Sequence, residues 1–97
     1  MTKPAWVRLH YRDKDGTIRD AQADYELSAF GGFLPATGDL ILDAGVASGL
    51  DRTDAKNRRM WTVVQRVFNP RDNEDCVVLV VEERQPLASE IELLPQG

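Results

Sequence analysis

Two long segments rich in β-formers, Met60–Phe68 and Cys76–Glu83, flank a short turn-rich stretch, Asn69-Pro70-Arg71-Asp72-Asn73-Glu74-Asp75. No other feature limits the fold as much. Branched and aromatic residues at this density favour extended chain, and the Asn-Pro-Arg-Asp cluster turns it back on itself. The two segments are therefore expected to form an antiparallel hairpin. Strict alternation along Met60–Phe68 sets Trp61, Val63, Gln65 and Val67 on one face and Met60, Thr62, Val64, Arg66 and Phe68 on the other. Apolar bulk on both faces marks a central strand or one that closes a barrel. In Cys76–Glu83, Val77, Leu79 and Val81 oppose Cys76, Val78 and Val80.

The rest of the chain reads in the same language. From Ala5 to Arg12, Ala5, Val7, Leu9 and Tyr11 alternate with Trp6, Arg8, His10 and Arg12, the pattern of a half-buried strand. Asp13-Lys14-Asp15-Gly16 follows, and Asp-Gly supplies the positive φ of a tight hairpin. The return segment, Thr17 to Leu27, sets Ala21, Ala23, Tyr25 and Leu27 against Asp20, Gln22, Asp24 and Glu26. Alanine, glutamine and glutamate also favour a helix from Asp20, but the alternation favours a strand. Phe30-Gly31-Gly32-Phe33-Leu34-Pro35 is irregular, and Gly38-Asp39 turns the chain into a strand from Leu40 to Asp43. Residues 44–59 form a long polar loop with a helical turn expected within Asp51–Asn57; loops of this length are commonly mobile or functional. After Gln85-Pro86, the alternation Glu90-Ile91-Glu92-Leu93 predicts a short edge strand, and the end from about residue 95 is expected to be flexible.

The motif Pro35-x-x-Gly38-Asp39-x-Ile41, followed by Trp61-x-Val63-x-x-Arg66-x-Phe68 and Val77-x-Leu79-x-Val81, resembles the SH3-like small β-barrel group. The resemblance implies a mainly antiparallel all-β barrel of five to six strands. Modules of that group bind peptides, nucleic acids or other subunits, so it does not select a ligand. The chain departs from peptide-binding SH3 domains in lacking their clustered acidic and aromatic pattern.

Length and charge bound the rest. The 97 residues suit one domain, 1–97, able to bury a modest core without disulfides or metal. Sixteen acidic and 12 basic side chains, net −4, argue against a broad grip on duplex nucleic acid or anionic lipid. A local basic group of Arg52, Lys56, Arg58 and Arg59, with Arg66 and Arg71 beyond, reads first as a solvated loop and strand edge. The lone Cys76 excludes an internal disulfide, the start Met1–Trp6 lacks the apolar stretch of a secretion signal, and no apolar run exceeds Cys76–Val81. These point to a cytoplasmic protein of bacterial or phage style without membrane contact.

Reactive groups are sparse. One histidine, His10, and one cysteine, Cys76, supply neither a zinc set nor a nucleophile–base pair. Asp13-x-Asp15-Gly16 lacks the later ligands of a calcium loop, and Phe30-Gly31-Gly32-Phe33 lacks the lysine and the strand–loop–helix setting of a phosphate loop. Neither enzymatic activity nor a cofactor is expected. What remains is recognition. Large aromatics and arginine favour protein interfaces, and Trp6, Phe30 and Phe33 as apolar anchors, rimmed by Arg8 and Arg66, are the expected contacts for a protein partner or a second copy. Single-stranded nucleic acid, bound through the Arg8–Arg12 strand and the Arg52–Arg59 loop, is the alternative.

Overall fold

The computed structural model describes residues 5–43 and 45–94; the end beyond residue 94, expected to be flexible, lies outside them. Five strands form one mixed sheet: β1 (Trp6–Arg12), β2 (Ile18–Glu26), β3 (Leu40–Leu42), β4 (Met60–Asn69) and β5 (Asn73–Arg84). Their order is β2-β1-β5-β4-β3. The sheet curls into a half-barrel whose two end strands, β2 and β3, do not pair. β1 runs parallel to β5, and the other three pairings are antiparallel.

The first hairpin follows from its turn. Gly16 takes φ 86°, its N–H donates to the Asp13 carbonyl at 2.9 Å, and the Asp15 carboxylate accepts from the Thr17 amide at 2.9 Å. A left-handed glycine closing such a turn matches the right-handed twist of the flanking strands. β2 keeps the expected alternation despite a two-residue bulge. Leu9 faces Ala23 but His10 faces Asp20, leaving Ala21 and Gln22 unpaired. Gln22 sits at φ 56°, its amide donating to the Asp20 carboxylate at 2.7 Å. Two extra residues restore the face that one would have flipped, so Ala21, Ala23 and Tyr25 all pack on the core.

That core is the concave face: Val7 and Leu9 of β1, Trp61 and Val63 of β4, Leu79 and Val81 of β5. Leu9, Leu79 and Val81 have no exposed surface at all. The parallel β1–β5 pairing sets Val7 beside Val77 and Leu9 beside Leu79, so two distant apolar patterns meet in register.

β4 departs from the sequence expectation. Val63 faces Val81 but Gln65 faces Val80, so Val64 is a one-residue bulge. A single extra residue inverts every later side chain. Arg66 and Phe68 therefore share the face of Trp61 and Val63, standing opposite Leu79 and Val77, while Gln65 and Val67 turn outward. From Gln65 to Asn69 both faces are exposed. The second half of β4 is thus not central, because β3 pairs only with Met60–Thr62 and leaves the hairpin tip projecting alone.

The segment read as a short edge strand, Glu90–Leu93, instead belongs to a 3-10 helix, Ala88–Leu93. Its acid at 90 serves the turn. The Glu90 carboxylate accepts from both terminal nitrogens of Arg84, at 2.7 and 2.8 Å, and from the Leu87 amide at 2.7 Å. The Arg84 hydrogen bonds first, then the Leu87 amide, hold its pKa at about 2, below the usual 4.5. A carboxyl depressed on folding stabilises above its unfolded pKa and loses that contribution as pH falls through the folded one. Between pH 4.5 and 2 this turn is expected to come away from β5. The Leu87 amide resonance would then titrate with a midpoint near 2, and Glu90→Gln would abolish the titration. A Leu87 shift midpoint at an ordinary glutamate value would contradict this.

Candidate functional site

The open side of the half-barrel carries a groove of about 510 Å³. Tyr25 of β2 walls one side, and Leu40, Ile41 and Leu42 of β3 wall the other. Its floor and lip come from the connection between them, Ala29, Phe30, Phe33, Leu34 and Pro35. The groove is thus the seam where the two end strands approach without pairing.

Local sequence builds each wall. After β2 a 3-10 turn, Leu27–Phe30, is stopped by Gly31 at φ 70°, a conformation glycine adopts without strain. That reversal folds Phe30 under the sheet, where its ring meets Tyr25 edge-on, centroids 5.6 Å apart and planes at 68°, the preferred geometry for two aromatics. Burial first, and then the Asp43 carboxylate, push the Tyr25 phenol up from its ordinary pKa. On the far wall, Gly38 at φ 96° completes a turn in which Asp39 N donates to the Ala36 carbonyl, at 2.9 Å, and the Asp39 carboxylate accepts from Ala36 N, at 2.7 Å. Gly38 N then donates to the Val63 carbonyl at 2.8 Å, docking the turn on β4. Phe33 lies beyond this frame and is 78% exposed.

The expected anchors do not form one patch. Phe30 and Phe33 line the seam groove. Trp6 and Arg8 line a separate cleft of about 210 Å³ with Asp24, Asn73, Asp75 and Cys76, on the convex face. Arg66 lies on the concave face near the hairpin tip, its guanidinium carbon 5.7 Å from the Phe68 ring centre. The Arg8 guanidinium is taken up by Asp24, directly opposite on β2, at 2.9 and 3.3 Å. This pairing raises the arginine pKa and lowers the carboxyl. Cys76 is half-buried beside Trp6 rather than in the core. His10 lines neither cavity, and its Nδ1 is buried without a hydrogen-bond partner.

The basic loop is also rearranged. Arg58 is 2% exposed, so it leaves the surface group altogether. Its terminal nitrogens donate to the Arg52 carbonyl at 2.7 Å and the Asp43 carbonyl at 3.0 Å. Lys56 pairs with Asp54 at 3.6 Å and Arg59 with Glu83 at 3.9 Å. The described part of the loop is bonded internally, with Asp51 accepting from Thr53 N and Oγ1 and the Asp54 carboxylate capping a 3-10 turn at Ala55–Asn57. Nothing in the sequence distinguishes Arg58 from its neighbours; its burial arises from the carbonyls that the turn at 55–57 and the end of β3 bring around it.

Among the described residues no three His, Cys, Asp or Glu side chains come together as a metal site, and no helix is long and apolar enough to cross a membrane. Comparison with protein-family models, with curated proteins and with solved structures finds no match to this chain.

Proposed function

We propose that this chain is a non-enzymatic interaction module whose seam groove receives apolar side chains of a protein partner. The exposure of Phe33 on a groove lined mainly by apolar residues, with Asp39 the one acid among them, carries the reading. An aromatic 78% exposed on a groove it shares with Tyr25, Phe30 and the β3 strand is a preformed contact without a cover among the described residues. The cavity volume is that of a pocket for a small apolar group. Interfaces draw their energy from a few such aromatic anchors, here Phe33 and Phe30. The SH3-like assignment is part of the proposal. Its support is the Gly38–Asp39 turn into β3 and the apolar β4–β5 hairpin.

Peptides selected from a random library for binding to the chain would test this. Those retained are expected to be rich in apolar residues and to lose at least about tenfold in affinity against Phe33→Ser, the scale of truncating one anchor. The melting temperature is expected to hold within about 2 °C, since Phe33 packs little. Selected peptides that bind Phe33→Ser as well as the parent chain would refute the reading.

A further inference from the structure

Among the described residues β2, β3 and β4 beyond Val63 lack a neighbour on one edge, and so do the two three-residue ends of β5 outside Cys76–Val81, which are too short to hold a strand. An unpaired edge is a row of amides and carbonyls that invites another strand, and folded proteins blunt it with charge, proline, bulges or short length. β2 is blunted by its bulge at Gln22 and by Arg19, Asp20, Asp24 and Glu26. β3 has only three residues. From Gln65 to Phe68, β4 has no comparable guard. Its bulge lies before this stretch, at Val64, Pro70 lies after it, and Arg66 is the only charge. Val67 and Phe68 are 48% and 58% exposed.

We propose that this edge pairs with itself. A second copy of the chain adds its own Gln65–Asn69 antiparallel, about a two-fold axis through Val67, and joins two sheets into one.

The register follows from symmetry and chemistry. Residues opposite each other on antiparallel strands point to the same side of the sheet, so a two-fold axis must pass through a residue and not between two. An axis at Arg66 sets two guanidinium groups face to face, which is unfavourable. An axis at Phe68 sets Arg66 against Pro70, which has no N–H to donate. An axis at Gln65 needs the outer side of Val63, already taken by Gly38 N at 2.8 Å and the Asp39 carbonyl at 2.9 Å. Val67 remains. There the two valines meet, Gln65 faces Asn69, and Arg66 faces Phe68. Arg66 already lies over its own Phe68 ring, and the same cation–π pairing recurs twice across the axis. This surface shares no residue with the seam groove, so the two readings fail separately.

A contact this short is smaller than a standard interface, so association is expected between about 10 μM and about 1 mM. Sedimentation equilibrium over that range is expected to show monomer and dimer. Val67→Lys, which sets two ammonium groups on the axis, is expected to weaken the dimer about tenfold or more; Phe33→Ser is expected to leave it unchanged. Should the lysine variant fail to fold, amide exchange on the unmodified chain decides, with exchange at Arg66 and Phe68, whose amides face the free edge, slowing as concentration rises. A monomer throughout, a dimer that folded Val67→Lys leaves intact, or exchange at these amides independent of concentration would overturn the proposal.

Discussion

Replacing Leu79 with alanine is expected to cost about 3–5 kcal/mol of stability, the upper part of the range for a leucine lost from a packed core. Leu79 has no exposed surface and sits at the middle of β5, between Leu9 of β1 and Arg66 of β4. Its neighbours cannot collapse into the space, because β5 is the strand held on both sides by backbone ladders. A domain of this length is stable by about 5–15 kcal/mol, and each kcal/mol moves the midpoint by about 4–8 °C. A fall of at least about 12 °C in thermal midpoint is therefore expected. Val67→Ala, on the exposed half of the adjacent strand, is expected to stay within about 0.5 kcal/mol. Equal effects at the two positions would contradict the burial described for the hairpin.

Arg58→Ala is expected to be nearly as damaging, at about 2–4 kcal/mol. The side chain is long, 2% exposed, and joins the Asp43 carbonyl at the end of β3 to the Arg52 carbonyl in the loop. Its removal leaves both carbonyls short of a donor and opens a cavity beneath the loop. Some offset comes from the charge itself, since a buried guanidinium is costly to desolvate and its Nε has no partner. Arg58→Lys is expected to recover only part of the loss, because an ammonium donates from one point and not from a planar fork. Arg59→Ala, at a half-exposed pair with Glu83, is expected to cost no more than about 1 kcal/mol. Denaturant unfolding of the three variants checks the order. If Arg58→Ala were as mild as Arg59→Ala, the loop anchor would be wrong.

Much of the fold was readable from local pattern. The alternation of Ala5–Arg12, the Asp15-Gly16 hairpin, the strand preference over Thr17–Leu27 and the Gly38-Asp39 turn all involve forces acting over a few residues, and each has its counterpart in the structure. Three features were not readable, because each depends on side-chain or backbone partners that the hydrophobic alternation does not encode. The bulge at Val64 exchanges the faces of Arg66 and Val67, yet a strand with apolar residues on both sides looks the same with or without it. Arg58 is buried by carbonyls that only the folded loop assembles. Glu90 is drawn into a turn by Arg84, overriding an alternation that fits a strand equally well. The candidate site shares this division. Phe30 and Phe33 were visible as unplaced aromatics, but the groove between β2 and β3 exists only because the sheet curls without closing. Trp6 and Arg8 ended on the convex face because β1 alternates as its sequence says.

The account rests on the open seam as a binding surface, and amide chemical-shift mapping of the chain with a selected apolar peptide tests it most directly. Perturbations confined to Tyr25, Phe30, Phe33 and Leu40–Leu42 are the expected result. Perturbations centred on Trp6, Arg8 and Cys76, with the seam amides unmoved, would contradict it.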